Sequence, residues 1–365
     1  MKKDRNIKSA LSINKGVPQP PSINPVLQNG KVRRRRKKYS ADEYIEGIIS
    51  GDISMLSQAI TLLESSLREH YELAQQIIEK CLPYSTKSVR IGITGVPGAG
   101  KSTFIEALGL ELADQGRRVA VLAIDPSSTN TRGSILGDKT RMEKLGTHPN
   151  AFIRPSPSAG TLGGVARKTR ETIVLCEAAG FDTIMVETVG VGQSETAVRT
   201  MVDFFLLLMI AGAGDELQGI KRGIIEMADA IAVNKADGAN RENAEKTRIS
   251  YENALRLYPA PYSGWQPKVV TCSALQNIGI KEIWKIIMDY VDFAESTGFF
   301  YESRKRQAVV TMHDTIMEFI GNAFYNNPEI KKLEPDLEKQ LYNGTLTSYQ
   351  AAVKLLEKYF GRKAE

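Results

Sequence analysis

What this chain has little of narrows its chemistry first. Among its 365 residues there are 3 cysteines and 3 histidines. Cys81, Cys176 and Cys272 stand far apart, in neither a metal-binding nor a disulfide spacing, and read as small, reduced core residues. Reduced thiols point to the cytoplasm as the compartment. His70, His148 and His313 are equally isolated, so no cluster of His and Cys offers itself to a transition metal. Apolar runs are short: the run over 204–211 cannot span a bilayer and suits a strand buried on both faces. The amino terminus is charged and lacks the apolar core of a signal peptide.

What is present is ordinary in amount and uneven in placement. Hydrophobic residues make up 42% and charged residues 25%, as in a soluble globular protein of about two or three domains. The net charge is +6, yet Lys31 to Lys38 alone carries 7 positive charges, so the remainder is close to neutral and does not read as a nucleic-acid binder. The basic run reads as a solvated arm, with RNA, an acidic partner or anionic lipid as the functional alternatives.

Composition and periodicity divide the chain into four parts. Residues 1–38 combine four prolines with polar residues and the basic run, a composition expected of a disordered tail. Residues 39–88 read as a helical module, opened by a capping box at Ser40 and Glu43, broken at Gly51 and Asp52, and stopped before Pro83. Residues 89–295 alternate strands, expected at 89–94, 118–124, 150–153, 182–187, 204–210, 229–234 and 268–272, with helical patterns. That alternation predicts an α/β fold with a mostly parallel sheet covered by helices on both faces. Residues 296–365 read as three helices, over 301–325, 329–342 and 346–360. The first carries an apolar stripe (Val309, Met312, Ile316, Phe319, Ile320 and Phe324) that must pack on the chain's own nucleotide domain or on a second subunit.

The segment that organises the rest is Gly95, Val96, Pro97, Gly98, Ala99, Gly100, Lys101 and Ser102, followed by Thr103. It lies between a strand pattern and a helix pattern, the context in which a glycine-rich loop ending Gly-Lys-Ser is a P-loop. Its backbone N–H groups and the helix N-terminus would cradle phosphates. Lys101 would reach the β- and γ-phosphates and Ser102 would bind Mg²⁺.

The base is indicated by a second strand end. Asn234, Lys235 and Asp237 form Asn-Lys-x-Asp after the strand at 229–234. The Asp237 carboxylate can accept both N1–H and the N2 amino group of guanine, whereas adenine would leave it unpaired. Asn234 would brace the loop and face the purine's other edge, the Lys235 stem would lie over the purine, and Ser273, Ala274 and Leu275 would bring a backbone N–H to the guanine O6. GTP and GDP are therefore the expected ligands. Asp125, at the end of the strand over 118–124, and Glu187, at the end of the strand over 182–187, are placed near the Mg²⁺, and Asp138 is a further metal candidate. Gly190, in the glycine loop after Glu187, could bond a γ-phosphate and release it after hydrolysis.

Together these segments resemble the MeaB/ArgK family of methylmalonyl-CoA mutase-associated GTPases. The resemblance rests on the P-loop, Asp125 to Ser128, His148 to Ser158, Glu187 to Glu195, Gly214 to Lys221 and Asn234 to Asp237, and covers roughly residues 40 to 325. It implies a metallochaperone-like P-loop GTPase that binds an adenosylcobalamin-dependent acyl-CoA mutase, gates cofactor loading, and protects or reactivates that enzyme. It implies that Ser102, Asp125, Asp138 and Glu187 complete the metal environment. It further implies that Asp215, Gln218 and Lys221 belong to an additional switch facing the mutase, and that C-terminal helices form a homodimer. No glutamine or arginine stands out as the positioner of the attacking water, so slow turnover stimulated by a partner is expected, with Lys221 a candidate catalytic contributor.

Three rival readings differ in testable ways. An ATP-dependent kinase of a transport-system protein conflicts with Asp237. A nickel-type metallochaperone GTPase would want the clustered His or Cys that the chain lacks. An RNA-binding GTPase rests on the basic tail alone.

Overall fold

The computed structural model of the protein describes residues 39–65, 67–85, 88–124, 142–155, 162–188, 194–211, 222–259 and 261–361. The tail expected over 1–38 lies outside them. Among the described residues three helices come first: α1 (Ala41–Ile49), α2 (Ile53–Glu64) and α3 (Arg68–Cys81). The break at Gly51 and Asp52 has a local cause. Gly51 turns the chain out of α1 at φ +81°, and the Asp52 carboxylate caps α2 by accepting from the N–H groups of Ser54 at 2.7 Å and Met55 at 3.2 Å.

Strands and helices then alternate: β1 (Val89–Gly95), α4 (Lys101–Asp114), β2 (Val119–Ile124), the single turn α5 (Glu143–Gly146), β3 (Ala151–Arg154), α6 (Leu162–Ala178) and β4 (Thr183–Thr188). They continue through α7 (Ser194–Arg199), β5 (Phe204–Ile210), α8 (Arg222–Met227), β6 (Ala230–Asn234), α9 (Arg241–Leu255), β7 (Lys268–Thr271) and α10 (Ile280–Ser296). The expected α/β class is the one the chain adopts. Among the described residues seven strands run parallel in the order β3-β2-β4-β1-β5-β6-β7, each within about a residue of its expected ends. The order reverses about β1, which lies between β4 and β5, so the loop leaving β1 opens at the switch point where parallel sheets bind ligands.

The period of two along each strand feeds two cores. Phe204, Leu206 and Leu208 of β5 pack with Ile91 and Ile93 of β1, Phe104 and Leu108 of α4, and Ile283 and Ile287 of α10. Leu207 and Met209 of β5 point the other way, against Ile231 and Val233 of β6, Ile225 of α8 and Tyr251 of α9. Burial on both faces explains why β5 is an uninterrupted apolar run, and shortening Leu206 or Leu208 to alanine would cost about 2–5 kcal/mol. A sheet clamped this way is a rigid base for the loops at its carboxyl edge.

The last helices are α11 (Phe299–Asn326), α12 (Pro328–Tyr342) and α13 (Ser348–Phe360). It is the polar face of α11 that docks on the nucleotide domain. Arg304 donates to both Asp203 oxygens at 2.8 and 2.7 Å and to Ser88 O at 2.7 Å, and Gln307 Nε2 donates to Val202 O at 2.7 Å. Two turns on, Asp314 pairs with Arg170 and Glu318 with Arg167 of α6. The apolar stripe faces elsewhere: Val309, Met312, Ile316, Phe319 and Ile320 are each about half exposed. Phe324 is half-buried and packs against Tyr359 of α13, ring centres 5.1 Å apart. The chain's own nucleotide domain therefore leaves most of the stripe uncovered.

Candidate active site

The loop between β1 and α4 owes its shape to glycine. Gly95 has φ +154°, and a Cβ there would lie 2.2 Å from Leu208 O on the neighbouring strand. Gly100 has φ +83°, and a Cβ there would lie 2.8 Å from the Asn234 amide. No other residue type fits either place. Ala99 is buried beneath the loop, while Pro97, Gly98 and Thr103 are exposed and Val96, Lys101 and Ser102 are half-buried. Helix α4 begins at Lys101, so its first N–H groups face the space above the loop.

Lys101 folds back onto this loop, its Nζ donating to Gly95 O at 2.9 Å and Val96 O at 3.3 Å. Burial holds its ammonium below the ordinary lysine value, and the carboxylates of Glu187 and Glu195 oppose that effect. The end of β4 and the first turn of α7 thus each bring a carboxylate whose charge acts on the lysine. Register puts Ile93 of β1 beside Glu187 of β4, and the Ser102 hydroxyl donates to Glu187 Oε1 at 3.1 Å. Beneath them the buried Thr188 and Thr94 hydroxyls are bonded at 2.9 Å, tying the two strand ends together. The residues expected to hold phosphate and metal are therefore neighbours, although Glu195 carried no separate expectation of its own.

One side chain joins the two halves of the site. Asn234, 2% exposed at the end of β6, donates through Nδ2 to Ala99 O at 2.8 Å. Its Oδ1 accepts from Ala274 N at 3.0 Å. Both ends of the amide are thus committed to protein, one to the P-loop and one to the turn after β7, so neither the Asn234 amide nor the Ala274 N–H is turned to the purine as the sequence suggested. Lys235 follows in the left-handed region at φ +59° and is exposed, and Ala236 N donates to Cys272 O at 2.9 Å. Asp237 is half-buried and accepts from the Ser273 hydroxyl. That hydroxyl also accepts from Gln276 N at 3.2 Å, inside a turn closed by reciprocal backbone bonds between Ser273 and Ile278. Leu275, at the crest of this turn, is 83% exposed. A planar ligand bounded by Lys235, Asp237 and Leu275 would meet one carboxylate acceptor and apolar surface.

Asp125, Asp138, Gly190, Asp215, Gln218 and Lys221 lie outside the described residues. Among the described residues there is no group of three or more His, Cys, Asp or Glu side chains that could hold a metal ion, and no helix long and apolar enough to cross a membrane. That Asn234 braces its loop is expected from the sequence, but its partners Ala99 and Ala274, and the bond from Ser273 to Asp237, join residues far apart in the chain and leave no local pattern.

A parallel sheet with the P-loop at its switch point and Asn-Lys-x-Asp two strands away defines a P-loop GTPase. The chain belongs to the family described as methylmalonyl Co-A mutase-associated GTPase MeaB, whose model matches residues 56–329. The GTPase ArgK of Escherichia coli is 47% identical over 305 residues, covering 84% of this chain and 92% of its own. The mitochondrial methylmalonic aciduria type A homolog of Mus musculus is 44% identical over 331 residues, covering 88% of this chain and 80% of its own. A crystal structure described as LAO/AO transport system kinase superposes with a TM-score of 0.70 at 39% identity, covering 88% of this chain and 97% of that one. The chain is accordingly a GTPase.

Proposed function

We propose that this GTPase is a chaperone of an adenosylcobalamin-dependent acyl-CoA mutase, gating loading of that enzyme's cofactor and protecting or reactivating it. The observation that carries the reading is membership of a family named for association with methylmalonyl-CoA mutase, over 56–329. The likeness to methylmalonic aciduria type A homologs supports it.

The residues act in parts. The loop from Gly95 to Thr103 holds the triphosphate through backbone N–H groups, and Lys101 leaves its carbonyl partners to meet the β- and γ-phosphates. The Ser102 hydroxyl and the Glu187 carboxylate, 3.1 Å apart, are hard oxygen donors suited to Mg²⁺, with Asp125 and Asp138 as further candidates. That ion, when bound, neutralises charge on the phosphates. Asp237 reads guanine, with Ser273, Ala274 and Leu275 beside it, and Asn234 holds the base loops in register with the P-loop. Gly190 responds to the γ-phosphate, and Asp215, Gln218 and Lys221 form the switch that addresses the mutase.

Two further assignments follow. The half-exposed stripe of α11 supports a homodimer built on the C-terminal helices. Three buried cysteines support a reducing compartment, for which the cytoplasm is the proposal.

The kinase reading has one observation in its favour, the description of the similar crystal structure, and the Asp237 pocket speaks against an adenine nucleotide. The test is co-purification of the chain with a cobalamin-dependent acyl-CoA mutase, with and without a non-hydrolysable GTP analogue. A nucleotide-dependent complex that stimulates GTP hydrolysis is expected, and Gln218→Ala and Lys221→Ala should abolish the stimulation while sparing intrinsic turnover. Equal stimulation of wild type and both variants would remove the switch assignment, and no complex under either condition would remove the chaperone reading.

A further inference from the structure

Three helices meet on the face of the sheet turned toward α11, and one arginine touches all of them. Arg170 belongs to α6. Its Nη2 donates to the Thr200 hydroxyl, one residue beyond α7, at 2.6 Å, and its Nη1 pairs with Asp314 Oδ2 of α11 at 3.0 Å. The Thr200 hydroxyl in turn donates to Ala197 O at 2.8 Å, so the arginine grips the last turn of α7 rather than a loose side chain. Two to three turns earlier on α11, Gln307 holds Val202 O and Arg304 holds Asp203, in the segment that links α7 to β5. The carboxyl end of α7 is thus fastened to α11 at successive points.

The other end of α7 belongs to the nucleotide site. Its first turn carries Glu195, 2% exposed, whose charge acts on Lys101, and its Val198 packs over Gly92 of β1, the strand that leads into the P-loop. A helix of 6 residues is about 9 Å long, a single stiff strut between the strand that feeds the P-loop and the α11 anchor. The anchor is also where hydrogen bonding fails to close. Among the described residues the buried side-chain nitrogen or oxygen atoms without a partner are Arg170 Nε and Gln307 Oε1, and both belong to this seam. Buried polar groups are almost always paired, so an incompletely satisfied seam resists a change of packing less than the surrounding core does.

The geometry points to Arg170 as a positioning residue for GTP hydrolysis: by clasping Thr200 and Asp314 together it sets where α7 presents its first turn to the phosphate site. The role needs the GTPase activity and no client enzyme. It also explains how whatever covers the α11 stripe could alter turnover, since Asp314 lies on the same helix as Met312 and Ile316.

The test compares Arg170→Ala, Asp314→Ala and Asp314→Asn in single-turnover and steady-state GTP hydrolysis, with GDP affinity and melting temperature measured alongside. Asparagine at 314 keeps an oxygen that accepts from Nη1, whereas alanine does not. Arg170→Ala and Asp314→Ala should each lower kcat about tenfold or more with GDP affinity within about twofold, because a displaced strut misplaces reacting groups without emptying the pocket. Asp314→Asn should keep turnover within about twofold of wild type. The Asp314 side chain is 53% exposed, so its variants fold even if Arg170→Ala does not, and Asp314→Ala then decides alone. Wild-type kcat in Asp314→Ala would overturn the role. So would equal losses in Asp314→Ala and Asp314→Asn, or a loss that appears only as a lowered melting temperature. A wild-type chain that hydrolyses no GTP would instead count against the GTPase activity itself.

Discussion

Replacing Asn234 by alanine isolates the link between the phosphate loop and the base loops. The amide donates to Ala99 O and accepts from Ala274 N, and both partner residues are buried at 0% and 6% exposure. Alanine leaves a carbonyl and an N–H without partners, at about 1–3 kcal/mol each. Water entering the space recovers part of this, so about 2–4 kcal/mol is the expected net loss. At about 2–4 °C per kcal/mol for a domain of this size, the melting temperature should fall by roughly 4–16 °C. GDP affinity should fall at least about tenfold, because the P-loop and the guanine loops lose their common brace. Asn234→Asp gives a sharper form of the test. Its carboxylate turns an acceptor toward Ala99 O where the wild type has a donor, and protonation restores an O–H that can donate. GDP binding by this variant should therefore improve as pH falls, while binding by Asn234→Ala shows no such recovery. Differential scanning fluorimetry and calorimetric GDP titration from pH 5.5 to 8 measure both effects. An alanine variant that melts within about 1 °C of wild type and binds GDP equally well would refute the brace.

Other expectations follow from the same site. Asp237→Asn should lose GTP affinity and gain xanthosine triphosphate, whose C2 carbonyl can accept from the amide; retention of GTP preference in a competition assay would contradict the base assignment. Lys101→Ala should reduce GTP turnover far more than it lowers the melting temperature, since this lysine bonds loop carbonyls rather than filling core, and unchanged turnover would count against its phosphate role. Burial pushes the Cys81 thiol up to about 11 and Cys272 to about 12, and raises Cys176 as well. The native chain should therefore react with no thiol reagent at pH 8, and the denatured chain through all three cysteines. Unfolded thiols ionise near pH 9 while the buried ones stay protonated, so stability is lost as pH rises from about 9 toward 11, and a flat denaturation midpoint across that range would contradict it. The proposed dimer should give way to monomer in sedimentation equilibrium on Met312→Lys or Ile320→Asp, with little change in melting temperature because both side chains are about half exposed on the single chain, and a wild-type monomer would contradict the dimer.

The parts of this fold that sequence made legible are those in which neighbours in the chain act together. β5 was visible because every residue from Phe204 to Met209 is buried, and the P-loop because its glycines, lysine and serine are consecutive. Even the break at Gly51 could be located, though not the two bonds by which Asp52 caps α2. What could not be read are the contacts that only tertiary structure creates. Asn234 reaches Ala99 across 135 positions, Arg170 reaches Asp314 across 144, and neither spacing has a local signature. The stripe on α11 shows a second limit. Amphipathicity located it, but the helix docks by the opposite, charged face, because Asp203, Arg167 and Arg170 sit where that face can pair.

Nucleotide choice tests the central claim most directly. Calorimetric titration of the purified chain with GDP and with ADP, each in the presence of Mg²⁺, asks whether Asp237 and the Ser273 turn form a guanine pocket. The structure predicts tight GDP binding and ADP binding weaker by about a hundredfold or more, because adenine would leave the Asp237 carboxylate without its two donors. Equal affinity for the two would contradict the guanine assignment and, with it, the account of this chain as a GTPase.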